Sequence, residues 1–178
     1  MTERHVLSFP VGRQRFNYRV AAVIIADGHV LVSREDDDDY VMLPGGRVEL
    51  GEASGPALAR EIEEELGMPG AVGPLVATSE SFYHRSGEDF HEIGLFYRAA
   101  LPGHAVPDGK APWLVREDEG HVLSNFWVPL SGGALAAMNL LPRWLPDFLE
   151  NLPGSLTHIV HDERQASGGD ASVRAVDA

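Results

Sequence analysis

Gly45–Met68, GGRVELGEASGPALAREIEEELGM, is the stretch around which the rest of the chain arranges itself. It opens on a glycine pair and closes on a further glycine, with a run of acids just before the close. Ser54 as N-cap and Pro56 in the first turn, where a missing N–H does little harm, predict a helix start. Gly67 predicts the stop, because a left-handed residue after a helix favours glycine. At about 100° per residue, Leu58, Ala59, Ile62 and Leu66 fall on one arc, and Glu61, Glu64 and Glu65 gather on the arc beside it. Glu63 points nearly the opposite way, toward solvent.

Carboxylates at these spacings repel one another by about 0.2–0.5 kcal/mol per pair, so the cluster weakens the helix unless a cation sits among them. The cation suited to several carboxylate oxygens is hard, Mg²⁺ or Mn²⁺, and is readily shared with substrate phosphates. A metal held in this way bridges to a diphosphate and activates a water. Taken alone, EIEEEL reads first as a solvated acidic helix face. The wider spacing separates the two readings.

The segment resembles the Nudix box, whose pattern is G, five residues, E, seven residues, then R-E-aliphatic-x-E-E-x-G-aliphatic. Gly46, Glu52, Arg60, Glu61, Ile62, Glu64, Glu65, Gly67 and Met68 occupy those places. Met68 stands where a branched aliphatic is usual, and Gly55–Pro56 replace better helix formers; neither touches a ligand position. The resemblance implies that Glu61, Glu64 and Glu65 bind divalent metal with help from a main-chain carbonyl of the glycine pair, that of Gly45, and that one of the acids doubles as general base. It implies that Arg60 orients a box glutamate together with Glu52. Glu52 is itself a metal ligand in some members, which leaves its role open. The resemblance also implies the Nudix fold, an α/β/α sandwich around a mixed β-sheet, and in many members a homodimer.

Composition sets the frame for this. A chain of 178 residues, 44% apolar and 23% charged, accommodates one globular domain with a full core, expected over residues 1–164. The formal charge of −13 argues against non-specific nucleic-acid binding, which depends on Lys and Arg clusters. The absence of cysteine excludes disulfides and thiolate metal sites and is compatible with a reducing cytoplasm, the expected location. No signal-peptide core or membrane-length apolar run is present, so no membrane is expected as partner. Residues 165–178, rich in Gly, Ser, Ala and Asp, read as a mobile tail.

Before the box, Phe16–Ala26 and HVLVSR flank Asp27-Gly28 and predict a β-hairpin. EDDDDY then reads as a solvated loop, and Tyr40–Pro44 as a short strand that delivers Gly45-Gly46, where the backbone can approach metal and phosphate closely. After the box, Val72–Tyr83 and Phe90–Leu101 predict a second hairpin. Glu92 starts an otherwise apolar, aromatic strand; it is either a strand-end surface charge or an acid recruited from outside the box as metal ligand or base. Glu80 is a weaker candidate for the same task. Residues 102–120 read as a long loop of the kind that often serves as a lid, its Glu117-Asp118-Glu119 read first as solvated charges and second as the source of a catalytic base. His121–Leu130 predicts a strand, Ser131 the cap of a short helix through Met138, and Pro142–Asn151 an amphipathic helix with Trp144, Leu145, Phe148 and Leu149 inward. His158 and His161 have strand spacing and lack an obvious third metal ligand.

The reaction expected from these parts is Mg²⁺-dependent hydrolysis, with Mn²⁺ able to substitute, of the diphosphate linkage in a nucleoside diphosphate attached to another group. Arg34 is the first choice for a phosphate contact, with a structural salt bridge as its other reading. Arg19, Tyr40, Phe82 and Tyr83 are candidates for base stacking or polar contacts, or for core. A catalytically silent domain that senses a nucleotide metabolite is the alternative. Its mark would be the loss of a box acid, and every box acid is present.

Overall fold

The longest apolar alternation in the chain, on β2 (Gln14–Ala26), sends side chains into two different cores. Val20, Ala22 and Ile24 pack toward α1 (Ser54–Leu66), whose Ala57, Leu58, Ile62 and Leu66 share their cluster. Ala21 and Val23 join the opposite cluster with Leu135 of α2 (Ala134–Ala137) and Leu145 and Leu149 of α3 (Leu145–Glu150). A strand with apolar residues on both sides must be covered on both, and helices do so here. The computed structural model describes residues 5–103, 106, 112–118, 120–131 and 133–164, and the backbone of 172–176.

The other described strands are β1 (Ser8–Val11), β3 (His29–Glu35), β4 (Ala71–Arg85), β5 (Glu88–Ala100), β6 (Leu114–Asp118), β7 (His121–Pro129), β8 (Thr157–Asp162) and β9 (Ser172–Val176). They run in the order β6-β7-β3-β2-β5-β4-β8-β9, with β1 on the free part of β2. The sheet is mixed: β2–β5 and β4–β8 are parallel, the remaining pairs antiparallel. Both predicted hairpins are present. Asp27 and Gly28 take φ 46° and 72°, and Ser86 and Gly87 take 52° and 83°, the paired positive values that tight hairpin turns require. On β4 the register shifts around Leu75, next to Gly73-Pro74, where proline withholds a ladder donor.

β2 and β3 pair only at Ile25↔Val30 and Ala26↔His29 before they part. The box strand enters the gap. Ala22 N–H donates to Pro44 O at 2.8 Å, Val20 N–H to Gly46 O at 2.9 Å, and Val48 N–H to Tyr18 O at 3.1 Å, so the glycine pair lies along the middle of the sheet.

Several local expectations give way to tertiary partners. Tyr40–Pro44 form isolated bridges, Ser33↔Met42 and Val41↔Leu140, in place of a continuous strand. Ala53, not Ser54, occupies the cap position of α1 without a side-chain cap, because the Ser54 hydroxyl shares a 2.7 Å hydrogen bond with Tyr97 Oη. Ala57 is fully buried in the stripe where Ala59 was expected, and Ala59 is only partly covered. Gly67 stops α1 at φ 68°, its N–H returning to Glu63 O, as its position predicts. The cap position of α2 falls to Gly133, which takes φ 70°, and not to Ser131. The last helix is limited to Leu145–Glu150. Leu114–Asp118, read as loop, pairs with β7 and packs against α1. Ser172–Val176, inside the expected mobile tail, pair antiparallel with β8.

Candidate active site

Arg60 is the hub of the box. Its Nε and Nη2 donate to Oε1 and Oε2 of Glu52 at 3.0 and 2.9 Å, a two-pronged geometry that a planar guanidinium favours. Its Nη1 donates to Glu61 Oε1 at 2.7 Å and Glu64 Oε2 at 2.9 Å, and its Nη2 also reaches Arg47 O at 3.3 Å. One cation thus ties together carboxylates from the loop and from two positions of α1. The surrounding acids raise its pKa further, Glu52 foremost.

Glu65 turns instead to the glycine bend, where its Oε2 accepts the Gly45 N–H at 2.9 Å. Burial pushes its pKa up to about 8, against the pull of that N–H and of Arg19, with Glu61 and Asp118 adding to the rise. Burial also raises Glu61, opposed by Arg60. These two acids therefore sit where ionisation is costly without a further positive charge. A Cβ at Gly46 would overlap the Glu61 carboxylate, so only glycine leaves that acid room. At Gly45, φ 140° and the nearby Val20 carbonyl exclude any side chain. Gly45 O accepts Arg19 Nη2 at 3.1 Å. Glu63 is exposed.

Hard oxygen donors from Glu52, Glu61, Glu64, Glu65 and the Gly45 carbonyl, with Arg60 among the first three and Arg19 on the carbonyl, suit a divalent cation of the Mg²⁺ type. A tighter set of potential ligands lies elsewhere. Among the described residues, the donor atoms of Glu35, Asp36 and His121 stand within 4.8 Å of one another, all three residues being exposed. Asp36 accepts from His121 Nδ1 and from Val122 N–H there, contacts that tie the end of β3 to the start of β7.

The candidates outside the box divide into two groups. Arg19 and Glu92 line one shallow recess, with Met42, Leu43, Phe96 and Leu145 among its walls. Glu92 Oε2 accepts from Asn17 Nδ2 at 3.3 Å and from Tyr83 Oη at 3.1 Å, and no hydrogen bond joins it to the box acids among the described residues. Burial and this carboxylate raise the Tyr83 pKa. Arg34 makes no ion pair among the described residues; its guanidinium carbon stands 5.3 Å from the Phe126 ring centroid and its buried Nε lacks a partner. The rest are engaged elsewhere. Tyr40 is covered by the Arg85 guanidinium, 4.7 Å from its ring centroid, and Phe82 by that of Arg164 at 4.6 Å. Glu80 pairs with His158 Nε2 at 3.1 Å, and His158 Nδ1 with Thr78 at 2.7 Å.

Asp118, expected on a loop, stands at the end of a strand. β6 carries it close enough to α1 to act on Glu65, and the alternating LVRED was the available signal for that strand. Glu119 lies outside the described residues, as does most of 104–111.

Helices on both faces of a mixed sheet, with a glycine bend laid against an acidic helix, make this an α/β fold built around a carboxylate centre. The NUDIX domain family model matches residues 16–148, and the chain belongs to the Nudix hydrolase family. A curated relative, the CTP pyrophosphohydrolase of Escherichia coli (strain K12), is 38% identical over 65 residues, 34% of this chain and 48% of that protein. The chain thus spans about half the length of that relative. Among solved structures, a MutT protein of Bacillus halodurans superposes with TM-score 0.58 at 14% identity, covering 89% of this chain and 97% of the other. The MutT protein of Methanosarcina mazei Go1 gives 0.55 at 21% identity, over 80% and 95%. At these identities the structural likeness is one of fold. No helix among the described residues is long and apolar enough to cross a membrane.

Proposed function

We propose that this protein is a Mg²⁺-dependent pyrophosphohydrolase that cleaves the diphosphate linkage of a nucleoside diphosphate carrying a further group, nucleoside triphosphates included. The observation that carries this reading is the gathering of Glu52, Glu61 and Glu64 on Arg60, with Glu65 on the Gly45 N–H. The relative named for CTP hydrolysis supports a nucleotide as substrate. Mg²⁺ or Mn²⁺ held by these acids and the Gly45 carbonyl would offset phosphate charge and lower the pKa of a water.

The chain's own residues do the rest. Glu61, Glu64 and Glu65 supply the oxygen donors, and one of them takes the proton of the attacking water. Arg60 fixes the rotamers of Glu61 and Glu64, while Glu52 fixes Arg60. Gly45-Gly46 keep side chains out of the path of the phosphates. Arg34, with its unpartnered Nε, has guanidinium N–H groups to offer a phosphate oxygen.

The test is a phosphate-release screen with Mg²⁺ or Mn²⁺ over nucleoside triphosphates, nucleotide sugars, ADP-ribose and dinucleoside polyphosphates, comparing wild type with Glu64→Gln and Glu65→Gln. Loss of a general base costs about 10²–10⁴-fold, and a fall of that order in at least one variant, with the melting transition retained, is expected. Unchanged turnover in both variants would show that the acids do not serve the reaction.

A further inference from the structure

Gly45 is gripped at both its polar atoms by side chains: its N–H donates to Glu65 Oε2 at 2.9 Å, and its carbonyl accepts Arg19 Nη2 at 3.1 Å. The carbonyls before and after it are held differently. Pro44 O accepts from Ala22 N–H and Gly46 O from Val20 N–H, both backbone bonds to β2. Arg19 precedes Val20 on that strand, so one stretch of β2 holds the consecutive carbonyls of Pro44, Gly45 and Gly46, the middle one through a side chain.

The middle carbonyl needs that hold. At φ 140° Gly45 occupies a conformation open to glycine alone, and glycine has no side chain to pack and little torsional preference of its own. Without a donor its carbonyl is free to swing. A carbonyl oxygen has two lone pairs, so the bond to Arg19 fixes its direction and leaves one lone pair for another partner.

On the reading of the preceding section, which this inference rests on, the Gly45 carbonyl is the uncharged donor that joins Glu61, Glu64 and Glu65 in holding the divalent ion. We propose that Arg19 is a positioning residue for that ion, orienting the Gly45 carbonyl as Arg60 orients Glu61 and Glu64. Simple electrostatics predicts the opposite effect. The Arg19 charge acts on both Glu61 and Glu65, and a positive charge so placed repels a metal ion. If charge were its whole effect, removing it would tighten metal binding; positioning requires that removal weaken it.

Mn²⁺ titration followed by the electron-spin signal of the free ion reads that sign without turnover. Arg19→Met is expected to lose about 10–100-fold in affinity, the usual cost of losing a group that orients metal ligands. Arg19→Lys, whose ammonium still donates to one carbonyl, should stay within about threefold of wild type. Melts in chelator check that each variant folds, and Arg19→Gln, two bonds shorter, replaces Arg19→Met if that variant does not. Unchanged or tighter Mn²⁺ binding without the guanidinium would overturn the proposal. So would an equal loss in Arg19→Lys, which would trace the effect to packing.

A spectroscopic readout reports on the carbonyl itself. Glycine labelled with ¹³C at the carbonyl and ¹⁵N at the amide gives correlated signals only from Gly45-Gly46, Gly132-Gly133 and Gly168-Gly169, and Gly46→Ala identifies the first by its loss. The Gly45 carbonyl signal is expected to move when Mg²⁺ is added to wild type, and to move in chelator in Arg19→Met but not in Arg19→Lys. A signal indifferent to Arg19→Met would overturn the proposal. Wild type that binds no Mn²⁺ would refute the proposed reaction and this inference with it. Binding that Glu65→Gln abolishes and Arg19→Met leaves intact would refute this inference alone.

Discussion

The Gly45 backbone N–H donates to Glu65 Oε2 at 2.9 Å, so the first residue of the glycine bend and the last acid of the helix are tied across 20 positions of sequence. The same glycine gives its carbonyl to Arg19. Bend, helix and recess therefore meet at one residue, and the predictions below follow from that meeting.

Glu65 gives the metal-free protein a pH-dependent stability of definite sign. Its folded pKa, about 8, lies above its ordinary value of 4.5, so between these values the folded chain holds a proton that the unfolded chain has released. Stability therefore falls as pH rises from about 4.5 to about 8 and levels off above. Thermal melts in chelator across this range should show the decline, and Glu65→Gln should flatten it. Added Mg²⁺ or Mn²⁺ should raise the wild-type melting temperature most at the alkaline end, where the carboxylate is ionised.

The two glycines of the bend should fail differently when replaced by alanine. Gly45→Ala places a Cβ against the Val20 carbonyl at φ 140°, a backbone conflict. A loss of at least about 1–3 kcal/mol is expected in denaturant unfolding. At Gly46 the three atoms nearest an added Cβ all belong to the flexible end of Glu61. Gly46→Ala should therefore fold with a near-normal transition and lose Mn²⁺ affinity and turnover. A normal metal titration in Gly46→Ala would show that the position of Glu61 is not needed for binding.

Arg60→Lys keeps the charge and removes the fork. A lysine cannot reach both oxygens of Glu52 while holding Glu61 and Glu64, so the acids lose their common anchor. Turnover is expected to fall by about 10–100-fold, the usual cost of losing a residue that orients metal ligands. Steady-state kinetics with Mn²⁺ held at saturation would separate lost orientation from lost affinity.

Ile62 is fully buried on the inward face of α1 and packs beside Gly70. Ile62→Ala should cost about 2–5 kcal/mol in urea unfolding. The helix carrying the acids would then be less firmly seated, and metal affinity should fall with stability. Glu63→Gln, on the exposed face of the same helix, should change neither.

The first hairpin and the stop of α1 were legible in sequence because each depends on one or two residues whose backbone preference is local, Asp27-Gly28 and Gly67, and the second hairpin because two long apolar runs flank a short polar one. The acid spacing was legible because a helix converts offsets of three and four into adjacency. Ser54 illustrates where such reasoning ends, since its hydroxyl had a local use as a cap and a distant one at Tyr97, and the distant one prevailed. β6 illustrates it again: five residues among prolines and glycines carry a weak strand signal, and pairing with β7 makes them a strand.

By itself, the chain's order of residues determined which helix carries the acids, where that helix ends, and that a glycine pair must precede it. It could not determine what those acids face. That Glu65 meets the Gly45 N–H, and that Glu92 lines a recess with Arg19, were decided only when β2 and β3 parted and admitted the glycine bend between them. The reason is physical. Periodicity and turn preference act over a few residues, whereas desolvation and hydrogen-bond partnership depend on every element that arrives at the same point in space.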